Sequence, residues 1–128
     1  MNLLLDTHAL IWWLAGDDAL GAEARALIED EAHQVFVSAA SAMEISTKHR
    51  LGKLPEAGLL ATSLSQFLSE QGFVEMPISI AHAVLAANLR ITHKDPFDRL
   101  LIAQSLVENC PLVSNEILFD SFGVNRIW

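Results

Sequence analysis

The order of apolar and polar positions predicts short strands alternating with longer helices. Leu3 to Leu5 form a brief apolar run ending in Asp6-Thr7, and Ala9, Leu10, Trp12, Trp13 and Leu14 then recur as on a short helix. Leu20 to Asp30 sets Ala22, Ala24, Ala26 and Leu27 among Glu and Arg, all good helix formers, and Val35 to Val37 reads as the second strand. A helix opens within Ser38 to Ser41 and runs to about Arg50, with Gly52 and Pro55 marking its end. Leu60, Leu64, Phe67 and Leu68 keep helical spacing over Leu59 to Ser69, and Gly72 stops that helix. Phe73 to Met76 is a strand before Pro77, and Ser79 to Leu89 is an Ala-rich helix capped by Ser79. Asp95-Pro96 starts a helix to about Glu108 on Leu100, Leu101, Ala103 and Leu106, while Leu112-Val113 and Val124 to Trp128 supply the last strands.

Repeated strand-helix units of this kind imply an α/β fold of three α/β/α layers, with a central, mostly parallel sheet of four or five strands. Residues 1–128 suit one domain, and no internal repeat or low-complexity segment interrupts them. Strands buried on both faces agree with a hydrophobic content of 52% and a charged content of 19%. The longest apolar run, Ala9 to Ala15, is far short of the roughly 20 residues of a transmembrane helix, and no basic residue precedes it as in a secretory signal. Cys110 is the sole cysteine, which excludes an intrachain disulfide and makes the reducing cytoplasm the expected location. It reads as a core residue at the entrance to a strand.

In parallel sheets ligands gather beyond the carboxyl ends of the strands, where strand order reverses. Asp6 directly follows the first strand, Glu44 is expected in the first turn of the helix after the second, Asp98 lies in the first turn of a later helix, and Glu116 follows Leu112-Val113. Four elements thus deliver acids to one edge, and carboxylate oxygens are the donors that magnesium or manganese requires. Each acid also has a purely structural account. Ser41-Ala42-Met43-Glu44 fits a capping box, Asp95-Pro96-Phe97-Asp98 fits a cap with Pro at the first helical position, and Asp6 can cap the helix after it. Together they are harder to explain, since two carboxylates about 4 Å apart repel by roughly 4 kcal/mol at an effective dielectric near 20. His8, His33, His49, His82 and His93 show no zinc-ligand spacing.

Taken in order, Leu3-Leu4-Leu5-Asp6-Thr7-His8, Val37-Ser38-Ala39-Ala40-Ser41-Ala42-Met43-Glu44-Ile45, Leu51-Gly52-Lys53-Leu54, His93 to Gln104 (HKDPFDRLLIAQ) and Leu112-Val113-Ser114 resemble the successive motifs of PIN-domain VapC-type toxins. The HKDPFDRLLIAQ stretch is the most specific part. The resemblance implies a metal-dependent endoribonuclease, the toxin of a toxin-antitoxin pair, with Asp6, Glu44 and Asp98 binding Mg2+ or Mn2+. Where that family commonly carries an Asp two residues after the Ser or Thr that ends the fourth strand, this chain has Ser114-Asn115-Glu116. Glu116 is the fourth candidate for metal and catalysis, with Asn115 as the alternative in a supporting role, and Asp95 reads either as a cap or as part of the site.

The same resemblance implies an RNA substrate, a cognate antitoxin and a homodimer. Thr7 is expected to fix Asp6 or meet the scissile phosphate, Arg99 to contact RNA or lie on the far helix face, and His93 beside Lys94 to meet phosphate. Trp12 and Trp13 are adjacent, so one should be half exposed and available to a partner. A net charge of −8 opposes nucleic-acid binding, but the basic residues cluster as Lys48, Arg50 and Lys53 and as Arg90, Lys94 and Arg99. Two rivals remain at this point. One is a catalytically silent PIN-like binding module; the other is a phosphoacceptor receiver-like domain, which lacks its paired acids and late Lys here.

Overall fold

The computed structural model describes residues 1–128. Its strands are β1 (Asn2–Leu5), β2 (Gln34–Ser38), β3 (Val74–Met76), β4 (Leu112–Val113) and β5 (Arg126–Ile127). They form one five-stranded sheet in the order β3-β2-β1-β4-β5, with every neighbouring pair parallel. The helices are α1 (Thr7–Ala15), α2 (Ala22–Glu29), α3 (Ala39–Arg50), α4 (Gly58–Thr62), α5 (Leu64–Gln71), α6 (Ile80–Asn88) and α7 (Pro96–Glu108). The sheet is all-parallel, PIN-like in order, and flanked by helices as the sequence pattern implies. No helix is long and apolar enough to cross a membrane.

Strand parity assigns the two faces. Successive side chains of a strand point to opposite sides, so Leu3 and Leu5 of β1 join Val35, Val37 and Val113 in a core with Leu10, Ala24 and Ile45. Leu4 and Leu112 point the other way, into a core with Leu101, Ile102, Cys110 and Phe119. Leu3, Leu4 and Leu5 are all 0% exposed, which is why the strand reads as a continuous apolar run. Gly21, at the start of α2, lies against Trp128 so closely that a Cβ there would stand 2.6 Å from the Trp128 carbonyl carbon.

Three local expectations change. The helix expected over Leu59 to Ser69 is broken into α4 and α5 at Ser63, preceded by a 3-10 turn over Pro55–Ala57. Helix α3 is capped by Ser38, whose hydroxyl accepts from Ala40 N at 2.9 Å, rather than by Ser41. Glu44 therefore lies inside α3, beyond its first turn, and makes no capping box. Trp12 and Trp13 are both half-buried. Trp12 packs edge-on against Trp128 at 5.7 Å, and Trp13 contacts Phe73 and donates from Nε1 to Gln71 at 2.9 Å.

Arg99 is neither a free surface residue nor available to RNA. Its guanidinium donates to the carbonyls of Ala86, Ala87, Leu89, Ile91 and His93, at 2.8 to 3.4 Å. These carbonyls belong to the end of α6 and the loop into α7, where regular backbone bonding stops. The fork of five donors thereby fixes the segment that presents His93, Asp95 and Asp98. Arg99→Ala should lower folding stability by about 3 kcal/mol, because several carbonyls lose a charged donor together. Arg99→Lys should recover little of it, since an ammonium cannot span the same fork. Equilibrium urea denaturation measures both, and a loss within about 0.5 kcal/mol for the Ala variant would remove the clasp from the account.

Candidate active site

The chain runs from β1 through β2 to β3 on one side of the sheet and then crosses to β4 and β5 on the other. Strand order therefore reverses between β1 and β4, and Asp6 and Glu116 follow those two strands. A cleft of 150 Å3 opens at this edge, lined among others by Asp6, Glu44, Asp98, Glu116, Asp95 and Lys48. All four candidate acids reach it, together with Asn115 and the doubtful Asp95. A larger cavity of 360 Å3 lies elsewhere, between α3, α5 and β3, and is mainly apolar. Of the two, the small polar cleft alone holds convergent ionisable groups.

Each acid is held by a local interaction. Asp6 is the N-cap of α1 and accepts from Ala9 N at 2.8 Å, as its sequence position suggests. Asp95 caps α7, accepting from Phe97 N at 2.9 Å and Asp98 N at 3.3 Å, which sets Asp98 in the first turn. Asp98 Oδ2 lies 2.7 Å from His93 Nε2. Glu44 is buried; Thr7 Oγ1 donates to its Oε1 at 2.6 Å and lies 3.1 Å from Ser41 Oγ, whose proton it can accept. Lys48, one helical turn on, donates to Glu44 Oε2. Glu116 is exposed at the rim and caps the 3-10 turn Ile117–Phe122 through Leu118 N at 3.4 Å.

Two sequence expectations shift here. Thr7 fixes Glu44 rather than Asp6, and His93 meets a carboxylate rather than standing free. Lys48 and His8 also line the cleft, and neither was placed there from sequence. For Lys48 the signal was available: Glu44 and Lys48 are four residues apart, the spacing of a helical ion pair.

The electrostatics record the crowding. Burial pushes the Asp6 carboxyl up to about 6, opposed by Ser114, the Ala9 amide and His8, with the Asp98 charge adding to the rise. Asp98 is raised by burial first, against its bond to His93, and the charges of Asp95 and Glu44 raise it further. Lys48 is raised chiefly by its bond to Glu44, and Asp95 and Asp98 act in the same direction. The donor set is all hard oxygen, which suits a magnesium- or manganese-like cation rather than zinc. With Glu44 engaged by Thr7 and Lys48, and Asp98 by His93, no three of these side chains stand in a ligating arrangement. A cation would compete with Lys48 and His93 for these carboxylates.

Comparison with known proteins agrees with this fold. A family model described as PIN domain matches residues 3–124. No curated protein matches the chain. Among solved structures, VapBC2 from Rickettsia felis bound to a promoter DNA fragment aligns with a TM-score of 0.69 at 16% identity, covering 99% of this chain and 98% of that one. A toxin-antitoxin complex from Klebsiella pneumoniae gives 0.67 at 19% identity, covering 98% and 96%. FitAcB from Neisseria gonorrhoeae gives 0.62 at 18%, covering 100% and 97%. At these identities the likeness is one of fold.

The raised Asp6 carboxyl links stability to pH. Its folded value of about 6 exceeds the ordinary 3.8, so the folded state binds the proton more tightly. The associated stability is fully present below the ordinary value and is lost as pH rises through the folded one. Asparagine keeps a capping oxygen without the charge. Asp6→Asn should therefore be more stable than the native chain near neutral pH, by roughly 2 kcal/mol, and the advantage should shrink towards the ordinary carboxylate value. Urea denaturation across that range measures it. A variant less stable than the native chain near neutral pH would mean that the charged cap outweighs the burial.

Proposed function

This chain belongs to the PIN-domain family, and we propose that it is a Mg2+- or Mn2+-dependent endoribonuclease acting as the toxin of a toxin-antitoxin pair. The observation that carries this reading is the convergence of Asp6, Glu44 and Asp98, from three separate elements, on one cleft at the sheet's reversal point. Three distant neighbours of the same fold come from structures named as VapBC, toxin-antitoxin or FitAcB assemblies, which supports an antitoxin partner here. Exposed Met43, next to Glu44, and exposed Ile80 and Val84 on α6 are further support for protein contacts, with an antitoxin and with a second copy of the chain.

Asp6 and Asp98 would hold the cation, and Glu116 would hold its hydration shell or a second ion from the rim. The cation would supply charge neutralisation at the phosphodiester and a lowered pKa for water. Glu44 orients the attacking water and takes its proton at a carboxylate oxygen. Thr7 keeps that carboxyl aimed into the cleft, and Lys48 is its counter-charge. Water attacks phosphorus in line, the bond to the 3′ oxygen breaks with its electron pair on that oxygen, and a proton from solvent completes the 3′ hydroxyl while the phosphate stays on the 5′ side.

One observation favours a second reading. Glu44 and Asp98 already have cationic or hydrogen-bonding partners, and Glu116 already caps a turn, so a catalytically silent PIN-like binding protein would have no need of a cation.

Cleavage of total cellular RNA with manganese separates the two. The native chain should cut, and Asp6→Asn and Asp98→Asn should each lose roughly 100-fold or more, the scale of one electrostatic contact to a transition state. Manganese should also raise the melting temperature of the native chain and leave that of Asp6→Asn unchanged, because a ligand of the folded state stabilises it by mass action. Negligible cleavage by all three, with no melting shift, would establish the silent binder.

A further inference from the structure

With a net charge of −8, this chain has eight basic side chains with which to meet a polyanion. Four are engaged inside the fold. Arg99 clasps five carbonyls. Arg126 pairs with Asp120 and donates to the Ser114 carbonyl. Arg25 donates to the Asp17 carbonyl and lies over Trp13, and Lys48 holds Glu44. Arg50, Lys53, Arg90 and Lys94 remain. All four are exposed and none forms an ion pair.

Their placement is not scattered. Arg50 and Lys53 lie at the end of α3 and in the loop after it, while Arg90 and Lys94 lie in the loop entering α7. A second cleft, of 300 Å3, is lined by Thr7, His8, Glu44, Lys48 and Lys53 among others. It shares His8, Glu44 and Lys48 with the acidic cleft, so the two adjoin and Lys53 stands on the side away from Asp98. Glu56 also lines this second cleft; with Lys48 paired to Glu44, it is one exposed anion beside one free cation, Lys53. Lys94 is exposed in the loop entering α7, between His93, which bonds Asp98, and Asp95, which caps α7 and lines the acidic cleft.

Resting on the nuclease reading above, we propose that a single RNA strand lies across this edge with flanking phosphates on Lys53, in the adjoining cleft, and on Lys94, in the loop beside Asp95. Five acids line that cleft, so the phosphodiester to be cut is repelled unless its neighbours are held. The free cations are where such neighbours would lie.

Fluorescence anisotropy with a short labelled single-stranded RNA of mixed sequence, titrated with salt in EDTA so that cleavage does not intervene, tests the track. Lys53→Gln and Lys94→Gln should each weaken binding and reduce the slope of log affinity against log salt by about 0.7, and the double variant by about 1.4. Lys53→Arg and Lys94→Arg should keep the native slope. Arg25→Gln, which removes an internally engaged cation, should leave the slope unchanged, and melting curves should show all variants folded. Native RNA binding with slopes unaffected by the Lys53 and Lys94 variants overturns the track while leaving metal-dependent cleavage intact. No RNA binding by the native chain in EDTA at any salt also overturns the track, and the manganese cleavage assay then decides the nuclease reading by itself.

Discussion

Carboxyl groups crowded beyond β1 and β4 are the constraint to which the rest of this fold answers. Asp6 and Asp98 are raised by burial and by neighbouring acids, so the folded chain bears a cost at the edge where its strands end. Local interactions offset part of it. A helix cap contributes about 1 kcal/mol, whereas two carboxylates about 4 Å apart repel by roughly 4 kcal/mol, so caps alone do not explain why the acids stay together. Lys48 and His93 reduce the imbalance from within. Both are hydrogen-bonded to the acids with which a cation would also interact.

The fold was legible because parity and periodicity act over short distances. Leu3-Leu4-Leu5 announces a strand buried on both faces, and the Asp95-Pro96 start of α7 follows from proline's fixed φ and missing N–H. What failed was also local. The apolar spacing of Leu60, Leu64, Phe67 and Leu68 continues unbroken across Ser63, where the backbone departs from helical geometry; periodicity records which side chains face the core and not whether the helix between them is continuous. Ser41 and Glu44 have capping-box spacing, but Ser38 intercepts the helix start three residues earlier by bonding Ala40 N.

The site was legible as a set of acids and not as a network. Positions after strands pointed to Asp6, Glu44, Asp98 and Glu116, and all four line the cleft. Their partners were not readable, because Thr7 with Glu44 and Asp98 with His93 depend on side-chain directions that spacing does not encode. Arg99 was misread for a related reason. Its neighbour Asp98 suggests a role in the cleft, yet its guanidinium is taken up by five carbonyls of the α6–α7 connection. Position in a motif placed it at the site, and hydrogen-bonding geometry gives it to the scaffold.

The internal engagement of half the basic side chains bears on how such a molecule would search for its target. A protein with a broad cationic surface binds every RNA it meets and dissociates slowly from most of them. Here the cations left free are few, with Lys53 in the adjoining cleft and Lys94 beside Asp95, while the chain as a whole carries a net charge of −8. Encounters with bulk RNA would be brief unless a strand lay across that edge. Selectivity would then begin with repulsion, and the time saved on unproductive encounters would compensate for the weak attraction at each one.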